Sequence, residues 1–326
     1  MRVLVIGGAG YIGSHMVKFL GRNGCRVTTL DNLSSGHRDA VLFGDFVFGD
    51  FGDTVLLDSV LSRGFDAVMH FASFIQVGES IEIPSDYYCN NLVKTLRLLD
   101  AMRRHGINKF IFSSTAATYG EPQYVPIDES HLQQPINPYG RSKLMVEWCL
   151  EDYHKAYGLK YVCLRYFNAA GADHEGQLGE RHNPETHLIP LVLQVASGRR
   201  SNITVFGLDY DTADGSCIRD YVHVEDICQA HWLSLNALEG GLSCAAFNLG
   251  NGDGFSVKEI ITAVESIAKK SISFVIGNRR PGDPAVLVAD ASLIRSTLGW
   301  RPIFSDLSVI VEHAWKWELE FFVGQR

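Results

Sequence analysis

The sequence lacks any apolar run long enough to cross a bilayer, and no charged leader followed by an apolar segment opens it. Positive charge is also scarce, with 29 Lys and Arg against 37 Asp and Glu, a net charge of -8 and a pI near 5.8. This balance argues against general binding to nucleic acid or anionic membranes. We therefore expect a cytoplasmic protein that binds neither, and in which a few local arginines hold any anionic ligand.

Paired cysteines are missing as well, since none of the seven forms a C-x-x-C motif. An odd number of cysteines suits free thiols in a reducing compartment. The twelve histidines include no H-E-x-x-H pattern, and His182 and His187 lie five apart without a cysteine or carboxylate framework. We therefore predict no metal site.

What is present is the composition of a globular α/β protein, with 326 residues of which 46% are hydrophobic. Short apolar segments alternate with helical patterns through the first half, which predicts a doubly wound parallel sheet of the Rossmann type. The predicted strands are residues 3–6, 26–30, 46–49, 67–71, 110–113 and 161–165, and the predicted helices are 54–62, 87–104 and 138–157. Ligands of such sheets lie beyond the carboxyl ends of the strands, so functional residues should follow each strand.

A glycine-rich turn directly follows the first strand. Gly7, Gly10 and Gly13 have the spacing that permits a tight turn, close approach of backbone to a pyrophosphate, and packing of helix on strand. The next strand ends in Asp31, an acid suited to a ribose 2′-hydroxyl and unfavourable to a 2′-phosphate. The pattern therefore favours NAD over NADP. The alternative role of Asp31 is to cap the turn that it begins.

A second motif contains Tyr139 and Lys143, preceded by Asn137 and Pro138, which predict a helix start. Residues four apart share a helix face, so the ammonium could stabilise a phenolate. A phenol titrates near 10, and a base at neutral pH requires its pKa to fall by roughly 3 units. The run from Ser113 to Thr115, at a predicted strand end, could supply a hydroxyl to the reacting oxygen. The alternatives are a solvated Tyr and Lys on an amphipathic helix and a hydroxyl run that caps a strand.

With these motifs the sequence resembles the UDP-glucose 4-epimerases of the extended short-chain dehydrogenases/reductases. The resemblance covers nearly the whole chain, through GGAGYIGSH at 7–15, LDNLSSG at 30–36, HFAS at 70–73, VGES at 77–80, YYCNN at 87–91, FSSTAATYGEP at 112–122, NPYGRSKLMVE at 137–147, LRYFNAAGA at 164–172, ETHLIP at 185–190, IRDYVHVEDI at 218–227 and RRPGDPA at 279–285.

The resemblance implies three sets of site residues. The implied catalytic residues are Thr115, Tyr139 and Lys143. The implied NAD-binding residues are these three with Gly7, Gly10, Tyr11, Ile12, Gly13, Asp31, Asn32, Leu33, Ser34, Ser35, Gly36, Asp50, Phe51, Phe71, Ala72, Ser73, Asn90 and Phe167. The implied UDP-sugar residues are Thr115, Tyr139, Asn168, His187, Leu188, Thr204, Val205, Phe206, Arg219, Arg280 and Asp283.

The resemblance also implies domains and a reaction. We expect an NAD-binding Rossmann domain from residues 1–168 with a return segment 220–249, and a smaller α/β UDP-sugar domain from 169–219 and 250–326. The reaction would interconvert UDP-galactose and UDP-glucose through a transient 4-keto sugar, with NAD regenerated in each cycle. Homodimers are common in the family, and helices within 87–104 and 144–157 are candidate dimer surfaces.

Several alternatives stay open at this point. The substrate could be a UDP-N-acetylhexosamine or the UDP-xylose/UDP-arabinose pair, and Leu287 occupies the position thought to gate N-acetylated sugars. Ile75 stands where many epimerases have lysine, and His187 stands where others have asparagine. Related dehydratases carry an acid after the catalytic hydroxyl, whereas Ala116 follows Thr115 here. A net oxidoreductase that exchanges its cofactor or a non-catalytic NAD sensor are further possibilities.

Overall fold

The computed structural model describes residues 1–280 and 283–324 and is built on a seven-stranded parallel sheet. The strand order is β10-β6-β5-β4-β1-β2-β3. These strands are β1 (Arg2–Ile6), β2 (Arg26–Asp31), β3 (Asp45–Phe48), β4 (Ala67–His70), β5 (Lys109–Thr115), β6 (Lys160–Tyr166) and β10 (Cys244–Leu249). The predicted doubly wound sheet is confirmed, and its strand bounds differ from the prediction by one or two residues.

Helices cover both faces of this sheet because the side chains of each strand alternate between them. In β1, Val3 and Val5 pack in a cluster with residues of α1 and α8, whereas Leu4 and Ile6 pack with residues of α2, α5 and α6. The helices around the sheet are α1 (Tyr11–Arg22), α2 (Thr54–Leu61), α3 (Val77–Glu82), α4 (Pro84–Tyr87), α5 (Lys94–Arg104), α6 (Pro138–Tyr157) and α8 (Val224–Glu239).

The predicted single helix over 87–104 is wrong in one respect. A π-helical turn, Tyr88–Val93, separates α4 from α5. Within this turn the buried Asn91 side chain accepts a hydrogen bond from Phe74 N at 2.8 Å and donates one to Phe74 O at 3.0 Å. The amide therefore binds the chain that follows β4, and a wider turn at this position is compatible with that contact.

The remaining elements form two small sheets and a helical layer. Strand β9 pairs with β7, β11 and β13, and β8 pairs with β12. These elements are β7 (Asn168–Ala170), α7 (Leu188–Ala196), β8 (Ile203–Phe206), β9 (Ile218–His223), β11 (Gly254–Ser256), α9 (Val257–Ala268), β12 (Phe274–Gly277), β13 (Val286–Leu287), α10 (Ser292–Leu298) and α11 (Leu307–Trp317).

A separate apolar cluster joins α7, α9 and α11, with Val192, Ile260 and Ile310 fully buried at its centre. This cluster agrees with a second domain. Helix α10 packs differently, because Ile294 and the nearby Trp300 belong to the cluster on the α1 and α8 face of the large sheet. The division into residues 1–168 with 220–249 and 169–219 with 250–326 stays a prediction. No helix within the described ranges is both long and apolar enough to span a membrane.

Candidate active site

The turn between β1 and α1 depends on glycine at two positions. Gly7 has φ of +78°, and a Cβ there would lie 2.5 Å from Ala72 N. A Cβ on Gly13 would lie 2.1 Å from Gly7 O, so helix and turn could not pack together with a larger residue. Gly10 caps α1 without a side-chain hydrogen bond, which leaves the N–H groups of the first turn for another acceptor. This arrangement fits the phosphates of a dinucleotide.

Asp31 links this turn to the loop after β2. One carboxylate oxygen accepts a hydrogen bond from Ala9 N at 2.9 Å, and the other accepts one from Leu33 N at 2.8 Å. The turn-capping role considered from the sequence is therefore present. Because a carboxylate accepts about four hydrogen bonds, it also retains capacity for ribose hydroxyls. Burial raises the pKa of this carboxyl above its ordinary value.

The structure places most of the predicted NAD residues after successive strands of one sheet. Residues 32–36 follow β2, Asp50 and Phe51 follow β3, residues 71–73 follow β4, and Phe167 follows β6. Asn90 reaches the same edge from the π-helical turn, where its amide is 3.4 Å from Ala72 O. Asp50 accepts a hydrogen bond from Lys94 Nζ at 2.6 Å. All of these positions adjoin the carboxyl ends of parallel strands, where ligands of such folds bind.

The three predicted catalytic residues come from two adjacent elements of the same edge. Thr115 ends β5, and Tyr139 and Lys143 lie in the first two turns of α6. Asn137 caps that helix by accepting a hydrogen bond from Gly140 N at 2.8 Å. Lys143 Nζ lies 5.9 Å from the centre of the Tyr139 ring. The predicted shared helix face is therefore present.

Lys143 is buried, and two hydrogen bonds fix the position of its Nζ. It donates to Ser73 Oγ and to Ser113 O, both at 2.8 Å. Burial lowers the pKa of Lys143 to about 7. Burial also raises the pKa of Tyr139, while hydrogen bonding with the Thr115 hydroxyl lowers it. The protein alone therefore favours a protonated phenol, and the ionised form requires additional positive charge beside it.

The predicted UDP-sugar residues lie in the small sheets and at the start of α7. Thr204, Val205 and Phe206 belong to β8, and Leu188 begins α7. Asn168 in β7 pairs with Tyr221 in β9. The chain around the undescribed residues 281–282 connects several of them, because Arg280 stacks on the Phe206 ring at 4.0 Å and Asp283 forms an ion pair with Arg219 Nη2.

Arg219 and its neighbour Asp220 have different partners. Asp283 is its partner, whereas Asp220 accepts hydrogen bonds from Asn251 N, Gly252 N and Ala289 N. Burial raises the pKa of Asp220 to about 6. An arginine whose partner belongs to the same predicted site can exchange that partner for a diphosphate.

Comparison with known proteins decides the family. The model of the NAD dependent epimerase/dehydratase family matches residues 3–250. The UDP-glucose 4-epimerase of Halalkalibacterium halodurans is 51% identical over 325 residues, covering 98% of this chain and 96% of the relative. The chain belongs to the NAD-dependent epimerase/dehydratase family.

Solved structures of epimerases agree with this assignment. The UDP-glucose 4-epimerase from Brucella ovis, solved in complex with NAD, superposes with a TM-score of 0.94 at 48% identity and covers 96% of this chain and 97% of its own. The enzyme from Stenotrophomonas maltophila, solved with NAD and formylated UDP-arabinopyranose, has a TM-score of 0.95 at 38% identity and 99% coverage of both chains. The predicted family, Rossmann-type fold, enzyme class and NAD cofactor are confirmed.

A buried network behind α6 was not predicted from the sequence. Glu147, one turn after Lys143, contacts Arg165 in β6, with Arg165 Nε 3.1 Å from Glu147 Oε1. Arg165 Nη1 donates to the Tyr119 hydroxyl at 2.9 Å, which donates to Asn248 Oδ1 at 2.7 Å. The network thus connects α6 with β6 and β10. Because its members are up to 129 residues apart in the chain, spacing could not reveal it.

His182 and His187 do have a carboxylate framework, contrary to the prediction. Glu180 Oε1 lies 2.8 Å from His182 Nδ1 and also contacts His187 Nδ1. Glu185 Oε1 is 4.0 Å from His182 Nδ1 and 3.9 Å from His187 Nδ1. A signal was present in the sequence, since the two acids are each two residues before a histidine. The observed polar contacts of His187, a predicted substrate residue, are thus with neighbouring acids.

Proposed function

We propose that this family member catalyses the interconversion of UDP-galactose and UDP-glucose with a tightly bound NAD that is regenerated in every cycle. The observation that carries the proposal is the placement of Thr115, Tyr139 and Lys143 at the carboxyl edge that also holds the glycine turn and Asp31. A phenol, an ammonium and a hydroxyl beside a dinucleotide turn can remove and return a hydroxyl proton. The UDP-glucose 4-epimerase relatives support the same function.

Tyr139 would act as the base. Its phenolate would take the proton of the sugar 4-hydroxyl and return it when the 4-keto group is reduced again. Bound NAD supplies the chemistry of accepting a hydride from C4 and giving it back. The Thr115 hydroxyl would hold the reacting oxygen, and it already lowers the pKa of Tyr139. Between the two transfers the 4-keto sugar would turn about its link to UDP and so present its opposite face to the cofactor. Proton and hydride would both return to the sugar, and the only net change would be the configuration at C4.

Lys143 would stabilise the phenolate electrostatically and orient the nicotinamide ribose. Its two hydrogen bonds, to Ser73 Oγ and Ser113 O, hold the ammonium between the segment after β4 and the end of β5. Burial lowers the pKa of Lys143 to about 7, and a negative charge that approaches it would raise this pKa and so stabilise the ammonium. Phenolate formation at Tyr139 would provide such a charge.

The remaining predicted positions would hold the two ligands. We assign the turn with Tyr11 and Ile12, the segments after β2, β3, β4 and β6, and Asn90 to NAD. Arg219 and Arg280 would bracket the diphosphate of the UDP-sugar, since bidentate hydrogen bonds suit guanidinium and phosphate groups. Asn168, His187, Leu188, residues 204–206 and Asp283 would complete that site. The Arg280–Phe206 stack and the Arg219–Asp283 pair support this grouping.

We also propose a homodimer in the cytoplasm. Trp148 on α6 is 55% exposed and Val93 before α5 is 40% exposed, so the helices predicted to pair carry apolar surface. All seven cysteines are free thiols, as expected in a reducing compartment. Light scattering of wild type and Trp148→Glu tests the dimer, since a charge at a dimer surface should shift the mass toward that of one chain. An unchanged dimer would exclude this helix as the contact.

The function is tested with purified protein and UDP-galactose in the absence of added NAD. Formation of UDP-glucose, with NAD released only on denaturation, is the expected result. Product formation only after NAD is added would indicate an exchanging oxidoreductase, and none under either condition would contradict the proposal. UDP-N-acetylglucosamine and UDP-arabinose are tested in parallel. Leu287 packs against a cluster that contains Tyr119 and Ala116, the residue after Thr115, and could therefore limit the size of the sugar that the site accepts.

A further inference from the structure

Four histidine and glutamate side chains converge in the segment that leads into α7. Glu180, His182, Glu185 and His187 each provide one ligand atom, and these four atoms lie within 4.8 Å of one another. They occur in the pattern E-x-H-x-x-E-x-H, so eight consecutive residues supply the whole set. A set this local can wrap a single ion without bringing distant elements together.

The distances suit a tetrahedral ion. Bonds of about 2.0–2.2 Å to four tetrahedral ligands place the ligand atoms about 3.4 Å from one another. Around His182 Nδ1, the observed distances are 2.8 Å to Glu180 Oε1 and 4.0 Å to Glu185 Oε1, and His187 Nδ1 is 3.9 Å from Glu185 Oε1. These values lie on both sides of the tetrahedral separation. The contact between Glu180 Oε1 and His187 Nδ1 is also shorter than this separation. A tetrahedral ion therefore requires side-chain rotations that lengthen the contacts of Glu180 and shorten those of Glu185.

The burial and the negative charge of Glu180 and Glu185 also favour a bound cation. The Glu180 and Glu185 side chains are 5% and 7% exposed, so two carboxylates lie close together away from water. Buried charges of one sign are unfavourable unless they are paired or bind a metal. A divalent ion with two carboxylates and two neutral imidazoles gives a net charge of zero. The alternative occupant is a shared proton between histidine and glutamate, which a metal would displace.

A second group of potential ligands already has a positive side chain beside its carboxylates. Asp173, His174 and Glu225 also lie within reach of one another. There, however, Lys18 Nζ is 2.6 Å from Asp173 Oδ1 and already provides the compensating positive charge. Around Glu180 and Glu185 the observed ion pairs are with His182 and His187.

We propose that Glu180, His182, Glu185 and His187 bind one first-row transition-metal ion of the zinc class. Imidazole with carboxylate ligands favours zinc and its neighbours over magnesium or calcium, which prefer all-oxygen ligands. Four protein ligands fill a tetrahedral ion, so the site is structural. The proposal does not depend on the proposed reaction. It is compatible with the proposed UDP-sugar contact of His187, because an imidazole that binds an ion through Nδ1 keeps its Nε2–H to donate to another ligand.

The ion would fix a segment that lies between two parts of the molecule. Glu180 O accepts a hydrogen bond from Trp317 Nε1 of α11 at 3.2 Å, and the His182 ring lies edge-on to Tyr11 of α1 at 6.2 Å. His187 caps the start of α7, directly before Leu188. Metal binding would thus order the connection between the dinucleotide turn and α7.

The test uses full-length protein without a histidine tag, stripped with EDTA and then given Zn²⁺ alone or Co²⁺ alone. We expect one Zn²⁺ per chain after gel filtration, the visible absorption of tetrahedral Co²⁺, and a higher thermal midpoint with saturating Zn²⁺. His182→Gln and Glu185→Gln should each weaken Zn²⁺ binding at least about tenfold, since even groups behind metal ligands contribute that much.

His105→Gln is the matched control, because His105 Nε2 is 3.0 Å from Asp58 Oδ1 in a histidine–carboxylate pair whose acid is also contacted by Arg104 Nη2 at 2.9 Å. It should bind Zn²⁺ like wild type. Circular dichroism in EDTA verifies that every variant folds, and only variants with the wild-type midpoint in EDTA are compared. Equal Zn²⁺ binding by wild type and His182→Gln would overturn the proposal. Loss of Zn²⁺ binding when the exposed thiols of Cys89 and Cys244 are blocked would also overturn it, because the ion would then be bound by those thiols.

Discussion

Charged side chains are held differently at the two sides of the site, the proposed catalytic edge around Tyr139 and Lys143 and the proposed UDP-sugar side around Arg219. Behind α6, Arg165 and Glu147 are both 7% exposed and are tied into hydrogen bonds with Tyr119 and Ser114. On the other side, Arg219 and Asp283 form a pair whose acid is 26% exposed and whose members come from a strand and a loop. The Arg165–Glu147 pair holds α6 against β6. The Arg219–Asp283 pair is accessible enough for Arg219 to exchange Asp283 for a diphosphate.

The largest effect should come from the catalytic edge itself. Tyr139→Phe removes the proposed base, so turnover should fall by about 10²- to 10⁴-fold, the usual contribution of a positioned acid–base group. Bound NAD should remain, because the glycine turn and Asp31 are unchanged. Steady-state rates and the NAD released on denaturation measure the two quantities.

Tyr153→Phe is the control for that variant. Tyr153 is in the same helix, but its hydroxyl donates to Asp100 Oδ1 at 2.9 Å, outside the site. Turnover should stay near the wild-type rate. If Tyr139→Phe also kept that rate, the tyrosine would have no role as base.

The next effect concerns the buried pair. Glu147→Gln leaves Arg165 without its counter-charge, and removing one partner of a buried pair typically costs about 3–5 kcal/mol. The free energy of unfolding in urea should fall accordingly. The pKa of Lys143 should fall too, because the negative charge of Glu147 raises it in the wild type.

Glu151→Gln, one turn further along α6, provides the comparison. Its partner Lys155 is 65% exposed, so solvent screens the pair and the urea midpoint should hardly change. Equal destabilisation by both variants would show that the buried pair contributes no more to the free energy of unfolding than the exposed pair.

A smaller effect is expected on the UDP-sugar side. Arg219→Gln removes charge-assisted hydrogen bonds worth about 1.5–3 kcal/mol, so kcat/KM should fall roughly 10- to 100-fold, mainly through KM. Arg279→Gln is the matched control, because Arg279 pairs with Asp209 and stacks on Tyr210. Similar losses in both variants, measured with UDP-galactose, would contradict the specific role of Arg219.

The smallest effect is a titration. Since burial lowers the pKa of Lys143 to about 7, its NMR signal in selectively labelled, cofactor-free protein should shift near that pH. The pKa of Lys155, raised by Glu151, should stay above 10.5. Lys143 binds fewer protons in the folded than in the unfolded state between about pH 7 and 10.5, so its contribution to stability rises with pH across that window. A Lys143 titration near 10.5 would contradict the burial argument.

The same contrast separates what the sequence could predict from what it could not. The positive φ of Gly7 and the cap at Asn137 arise within a few residues of chain, so local spacing predicted the turn and the helix start. Arg165 and Glu147 meet only when α6 packs on β6, and nothing in their spacing marks that contact. The π-helical turn that contains Asn91 likewise contacts Phe74, seventeen residues earlier. Both features that local patterns missed are thus accompanied by contacts between distant segments.

The return of the chain to β10 also has a consequence for synthesis on the ribosome. Strand β6 ends at Tyr166, but β10, which pairs with it, begins only at Cys244. During elongation the edge of β6 stays unpaired until about eighty further residues have been made. Its free backbone N–H and C=O groups can meanwhile pair with another chain. Nascent chains stalled in that interval should be the most aggregation-prone, and release from this state should coincide with the emergence of residue 249.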